Sequence, residues 1–394
     1  MKTILDQTRA LAATAYNPYL EEAKKQGKKI IGYFCSYVPE EIIHAAGFVP
    51  YRMRAVENRG TTRADAYYSS INCSFVKLCF NKAINGDFAF LDGVVFANGC
   101  DHTRRMYDNW RYSNIGTPFV HMFFVPHMIN ETALDYFSLE CAKLKSALEK
   151  HFQISITDEA LEKSISLYNR KRRLLAEIYA TRKNKEVPIK ASELLGVMLA
   201  VTAVPVEAAV DILTEVKKFI EGRVVSKPED LRLFISGGCL EEMEHLELIE
   251  NSGCVIVADN LCLGSRHFHD EVETQGHPVR AIAKRSLGHL SCPRMMGDFQ
   301  RRFDYLLSVR ETHGIDGVVI EKLKFCDLWG AEMYLFRVEA KNRGIPLLAL
   351  ERELYGGGAG QIKTRVQAFL EKLKNKQAAD EGVVRAAGTD YKPK

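Results

Sequence analysis

Two widely separated stretches of this chain spell nearly the same words. Asp92-Gly93-Val94-Val95 runs on to Cys100-Asp101, and Asp316-Gly317-Val318-Val319 runs on to Cys326-Asp327. What precedes them is also alike. Lys29 to Phe34 is a short apolar run, followed by a helical pattern from Pro39 to Ala46 closed by Gly47, and then by a second apolar run, Phe48 to Met53. In the later half Leu231 to Ser236 leads to a helical Glu241 to Asn251, a glycine at 253 and the apolar run Cys254 to Ala258. Short apolar runs alternating with 3.6-period segments predict strands and helices in turn. After each repeated cysteine a helix is expected, Thr103 to Tyr112 and Trp329 to Asn342, and then a closing strand, Pro118 to Val125 and Pro346 to Leu350.

Such alternation makes right-handed parallel crossovers. The expected fold is therefore α/β, with two doubly wound parallel-sheet lobes of similar topology joined by long helices. Residues 1–130 read as the first lobe with an N-terminal helix, 131–229 as a helical connecting region and 230–374 as the second lobe. Two long amphipathic stretches, Thr132 to Arg182 and Ala191 to Glu221, fill the connection. Residues 375–394 are polar and aperiodic and read as a disordered tail.

Charge narrows the partners. Lys plus Arg number 54 against 50 Asp plus Glu, and a net +4 offers no concentrated field for a polyanion, so nucleic acid is not an expected partner. No run nears the roughly 18 apolar residues of a membrane helix, and the first residues lack the apolar core of a signal peptide. No membrane association is expected, and the expected location is cytoplasmic.

Ten cysteines stand out in such a chain. A reducing compartment leaves buried thiols, catalytic thiols or metal ligands as their uses. In open α/β sheets ligands bind beyond the carboxyl ends of the strands, and Cys35, Cys100 and Cys326 end predicted strands there. Cys262 follows the run 254–259 in a glycine-containing loop, while Cys73 and Cys292 occupy the two matching excursions. Cys79, Cys141 and Cys254 fall inside helices or a strand and read as core, and Cys239, after Gly237-Gly238, stays open. The absence of any Cys-x-x-Cys argues against a zinc ribbon. Single cysteines converging from two lobes suit an iron–sulfur cluster.

Three other features invite functional readings. Cys100-Asp101-His102-Thr103-Arg104-Arg105 starts a helix after a strand, so its free N–H groups and arginines suit an anion as well as they suit a solvated cap. Tyr355 to Gly360 matches neither a Walker nor a dinucleotide motif and reads as a flexible active-site loop. His267-Phe268-His269 has the spacing of two metal ligands on one face of a strand, with no third ligand evident.

The string Tyr33-Phe34-Cys35-Ser36-Tyr37-Val38-Pro39-Glu40-Glu41-Ile42-Ile43-His44-Ala45-Ala46-Gly47, with Lys324-Phe325-Cys326-Asp327, resembles the family of 2-hydroxyacyl-CoA dehydratase and benzoyl-CoA reductase subunits. Gly360-Gln361, Thr364-Arg365 and Ala368-Phe369-Leu370-Glu371 resemble that family's closing helix, and the likeness spans about residues 25–373. The resemblance implies a 4Fe-4S cubane on Cys73, Cys100 and Cys326 with one iron open to substrate. Benzoyl-CoA reductase-like and double-cubane subunits carry further cysteines, to which Cys35, Cys262 and Cys292 are similar. A chain with all six is expected to hold an 8Fe-9S double cubane, with Cys239 as the alternative to Cys35. The resemblance also implies an ATP-hydrolysing iron–sulfur activator protein as electron donor. A homologous second subunit, or a second copy of the chain, is the implied dimer partner, and an acyl-CoA the implied substrate. The expected activity is ATP-activator-dependent, low-potential reduction of an aromatic acyl-CoA. Its alternatives are 2-hydroxyacyl-CoA dehydration, reduction of small molecules by a stand-alone double-cubane protein, and a non-catalytic electron-carrier subunit. No spacing singles out a catalytic acid or base.

Overall fold

The computed structural model describes residues 2–57, 60–227 and 229–387. Its first sheet contains β1 (Ile30–Tyr33), β2 (Val49–Arg52), β3 (Gly93–Ala97) and β4 (Phe119–Phe123), in the order β2-β1-β3-β4 and parallel throughout. The second contains β5 (Leu231–Gly237), β6 (Cys254–Asn260), β7 (Gly317–Leu323) and β8 (Leu347–Arg352), in the order β6-β5-β7-β8 and again parallel. The two orders are the same, so the verbal repeat is a topological repeat and the chain is a two-lobed doubly wound α/β protein.

The repeated words have a physical role in both lobes. Asp92 Oδ2 accepts a hydrogen bond from Ile30 N at 2.8 Å at the start of β1, and Asp316 Oδ2 accepts one from Arg232 N at 2.7 Å in β5. The glycine that follows makes room: a Cβ on Gly93 would meet Phe119 at 2.9 Å, and one on Gly317 would meet Leu373 at 2.8 Å. Val94, Val95, Val318 and Val319 are wholly buried. Parallel sheets covered on both faces need such continuous apolar strands.

Helices Glu131–Phe152, Asp158–Ala180, Ala191–Val201 and Val206–Ile220 form the connection. Asn130 and Thr157 cap the first two through side-chain oxygens. Among the described residues no helix is long and apolar enough to cross a membrane.

The lobes interlock more than the residue boundaries suggest. The N-terminal helix Ile4–Ala13, grouped by sequence with lobe one, packs against the second sheet's core through Ala12, and Arg9 reaches Glu244 at 3.0 Å. Its buried stripe finds its match on the almost uniformly apolar helix Ala191–Val201. Helix Pro278–Gly288, between β6 and β7, crosses the other way and buries Val279, Ile282 and Leu287 in one core with Ile31 and Val95. At the C-terminus the helix Ala359–Ala387 runs through residues 375–387, where the sequence suggested a disordered tail. Intrinsic preference explains this, because alanine, lysine and glutamine favour helix without any apolar period. Residues 388–394 of that tail lie outside the described residues.

Candidate functional site

The cleft between the lobes is built from strand ends. Cys35 lies two residues beyond β1, and Cys100 and Cys326 lie three residues beyond β3 and β7. Cys100 is the cap residue of helix Asp101–Tyr112, Cys326 of Asp327–Asn342 and Cys73 of Ser74–Ile84. None of the three spends its side chain on capping. Helix N-termini carry unpaired N–H groups and a partial positive charge, which favour a thiolate.

Cys73, Cys100 and Cys326 form a first triad. Burial pushes the Cys73 and Cys326 thiols up to about 12; nearby Cys100 raises Cys73 further, and Cys73 and Cys100 together raise Cys326. Phe325, just before Cys326, holds φ at +61°, a left-handed backbone rare for a bulky residue. Such outliers cluster at sites where surrounding contacts over-determine the chain.

Cys35, Cys262 and Cys292 form a second triad. Cys262 and Cys35 both raise the Cys292 thiol, which burial carries to about 12, and Cys262 raises Cys35. Ser36 Oγ donates to the Cys262 carbonyl at 3.1 Å. The triads adjoin: Cys292 is felt at Cys326, and a Cβ on Gly99, the neighbour of Cys100, would stand 3.8 Å from Cys35 Sγ. Cys292 reaches this place because its segment packs on lobe one. Cys239 lies beside Cys262, Cys79 and Glu241. Cys79, Cys141 and Cys254 are buried in the core as the sequence suggested.

Three buried arginines surround these thiols. Arg266 Nη2 donates to Gly237 O at 2.6 Å and to Cys262 Sγ at 3.2 Å, while its Nε and Nη1 are buried without a partner. Arg294 binds Pro126 O at 2.8 Å and Asn98 O at 3.0 Å and leaves Nε unpartnered. Arg52 Nη1 donates to Ser36 Oγ at 3.3 Å. Sequence reasoning missed all three; the available signals were Arg266 four residues after Cys262 and Arg294 two after Cys292.

The donor chemistry fits an iron–sulfur group. Six thiols supply thiolates on binding, and orphaned buried N–H groups call for acceptors such as sulfur. Among the described residues no three His, Cys, Asp or Glu side chains gather round a single ion. A cubane differs from a single ion in this respect, since each thiolate takes a different iron. Cys35, Cys73, Cys100, Cys262, Cys292 and Cys326 could therefore hold such a group.

A cavity of about 670 Å³ opens beside the first triad, lined by Tyr67, Tyr68, Asn72, His102, Arg105 and Phe325 among others. Tyr68 Oη is buried there beside the Asn109 side chain. Arg104 instead pairs with Asp101 at 3.0 Å. A groove of about 740 Å³ lies along β8, walled by Tyr334 and Arg365; the 670 Å³ cavity is the one lined by the sequence neighbours of the first triad, Asn72, Asp101, Phe325 and Asp327.

Two other expectations resolve differently. His267 lies in a short helix, Ser265–Phe268, not on a strand, with Nε2 3.2 Å from Glu40, while His269 faces Asp270 at 2.8 Å, so the pair does not converge on one point. Burial lowers His267 to about 4. The glycine-rich loop folds back on the site: Leu354 N donates to Ser74 Oγ at 2.9 Å and Tyr355 N to Glu242 Oε1 at 2.6 Å.

Comparison with known proteins agrees with this architecture. The sequence pattern of the 2-hydroxyglutaryl-CoA dehydratase D-component family matches residues 35–373. The chain is 26% identical to the lactoyl-CoA dehydratase subunit beta of Anaerotignum propionicum, covering 95% of this chain and 99% of that one. It is 27% identical to a benzoyl-CoA reductase subunit of Thauera aromatica, over 88% and 91% of the two chains. With (R)-2-hydroxyglutaryl-CoA dehydratase subunit beta of Acidaminococcus fermentans it shares 24% identity over 90% and 95%. A match spanning nearly the whole two-lobed fold places the chain in the 2-hydroxyglutaryl-CoA dehydratase D-component family, which it shares with dehydratase beta subunits and a benzoyl-CoA reductase subunit.

Proposed function

We propose that this chain is the iron–sulfur subunit of an ATP-activator-dependent, low-potential reductase acting on an aromatic acyl-CoA. The observation that carries the reading is the second thiol triad adjoining the first at one cleft. Cys73, Cys100 and Cys326 would hold one half of an 8Fe-9S double cubane, and Cys35, Cys262 and Cys292 the other. Such a group supplies single electrons at very low potential. Around it the side chains bind, orient and exclude water. Tyr67, Tyr68 and Phe325 offer aromatic walls to a planar acyl group. Tyr68 Oη and Arg105 can donate hydrogen bonds to a thioester oxygen as negative charge develops there. Burial raises the Tyr68 pKa, so that hydroxyl keeps its proton. The sequence holds no Walker motif, and ATP hydrolysis is therefore assigned to a separate activator protein. The dimer partner is a homologous subunit or a second copy of this chain.

The second reading is 2-hydroxyacyl-CoA dehydration, favoured by the end-to-end match with dehydratase beta subunits. ATP stoichiometry separates the two. With reductant and activator, ATP consumed for every product formed from an aromatic acyl-CoA supports the reductase. A catalytic amount of ATP sustaining many turnovers of a 2-hydroxyacyl-CoA transfers the chain to the dehydratase reading, because a dehydratase recovers its electron.

A further inference from the structure

The two triads sit in unequal electrostatic surroundings. At the helix starts beside Cys100 and Cys326 the charges are mixed and wet: Asp101 and its partner Arg104 are 78% and 62% exposed, and Asp327 is 88% exposed, while the buried Arg294 is shared, acting on Cys35 and Cys292 ahead of Cys100. Charges so open to water are screened and act weakly at a distance. Beside the second triad the charges are dry, and once Glu332 is set against its partner Arg302 the cations prevail. Arg52 and Arg266 are 4% and 1% exposed. The acidic groups that act most on Arg52 are Tyr33, Cys35, Cys262 and Cys239, none of them a carboxylate. Among the described residues Arg266 donates only to a carbonyl and to Cys262 Sγ, and its guanidinium lies 5.1 Å over the Trp329 ring, on the helix that Cys326 begins. A buried cation without a carboxylate is costly unless negative charge arrives beside it. The unpartnered Nε and Nη1 of Arg266 identify the second triad as the place where that charge is missing.

We propose that Arg266, assisted by Arg52, makes the Cys35, Cys262 and Cys292 half of the centre the more easily reduced half. An electron taken up then rests there, one remove from the cavity beside Cys73, Cys100 and Cys326. The inference rests on the double-cubane reading. A fixed positive charge in a low-dielectric site stabilises the more negative, reduced state. The step is uptake of one electron from an external one-electron reductant. No bond forms or breaks, and no proton moves. Arg266 is thus a positioning residue for the electron.

The test is a redox titration of the anaerobically purified full chain, followed by electron paramagnetic resonance, with iron per chain measured on each sample. Arg266→Met should keep its iron and move the first reduction to more negative potential. Arg266→Lys, which restores the charge, should recover most of that shift. Arg104→Gln, on the wet side of the other triad, should leave both reductions in place. An unmoved first reduction in Arg266→Met, or a lysine variant shifted as far as the methionine one, overturns the proposal. Should Arg266→Met lose iron, Arg52→Gln reads the same buried charge from another side: a first reduction moved to more negative potential supports the proposal, and an unmoved one overturns it. About four irons per chain in the wild type, unchanged in Cys262→Ser, overturns instead the double-cubane reading beneath it.

Discussion

His102 Nε2 lies 2.9 Å from the backbone carbonyl oxygen of Phe325, so the helix capped by Cys100 is tied directly to the turn that carries Cys326. Its other ring nitrogen stands 2.9 Å from Asn72 Oδ1, next to Cys73. The Asn72 amide nitrogen donates to Ser69 Oγ at 2.9 Å, which turns the Asn72 oxygen toward the imidazole. One side chain therefore spans the sequence neighbours of all three thiols in the first triad and joins the two lobes at that point.

His102→Ala should loosen this rim. Losing this ring and its hydrogen bonding costs about 1–3 kcal/mol, so thermal unfolding of the chain should begin at lower temperature. Alkylation of Cys73 and Cys326 in the iron-free protein, followed by mass spectrometry, should become several-fold faster. Unchanged alkylation rates at both thiols would remove the latch role.

The succession of strands and helices along the chain and the cysteines at strand ends were legible because they are local. Apolar runs such as Gly93–Ala97 mark buried strands by themselves, and the residues just beyond them mark the functional edge of the sheet. The arginine lining was not legible. Arg52, Arg266 and Arg294 come from separate segments, and only the packing of helix Pro278–Gly288 onto lobe one brings Arg294 and Cys292 toward Cys35. The contact of His102 with Phe325 joins residues 223 positions apart, and no periodicity announces it. Residues 375–387 misled for the opposite reason: their helix rests on the alanine, lysine, glutamine, glutamate and arginine among them, despite Gly382, and carries no apolar period to reveal it.

Iron content should separate the two triads. The wild type, purified without oxygen, should carry about eight irons per chain, as two groups of three thiolates suit two bridged cubanes. Cys262→Ser and Cys292→Ser should each lower the content toward four. Zinc in place of iron, or iron unaffected by either substitution, would detach the second triad from the centre.

Arg302 and Glu332 hold the two triads in register. Arg302 Nε and Nη2 donate to the two Glu332 oxygens at 2.5 and 3.0 Å, and Nη1 donates to the Cys292 carbonyl at 3.2 Å. Glu332 belongs to the helix that Cys326 begins. Both side chains are 3% exposed, so removing Glu332 leaves the buried Arg302 charge with the more distant Asp298, 3.9 Å away. Glu332→Ala should destabilise the chain by about 3–5 kcal/mol, visible in urea unfolding, and should lower iron retention at the second triad. A cost under about 1 kcal/mol would mean that water enters and replaces the carboxylate.

The buried carboxylate Glu321 should give the fold an acid limit. It accepts from Arg352 Nε at 3.3 Å and lies 2.7 Å from His245 Nε2, and the Arg352 charge together with the His245 contact outweighs burial to hold its pKa at about 2 against an ordinary 4.5. A carboxylate whose pKa is lower folded than unfolded stabilises the fold fully above its unfolded value. That contribution, about 3 kcal/mol at 1.36 kcal/mol per unit, should therefore be intact above about pH 4.5 and fall away between there and about pH 2. Glu321→Gln cannot titrate, and it leaves Arg352 with Glu242 as its carboxylate partner. Urea unfolding of the iron-free wild type and variant should differ most near neutrality, and the gap should close steadily as pH falls through that window. A gap that persists unchanged to pH 2, or one that closes already between pH 7 and 5, would assign the stabilisation to a group other than Glu321.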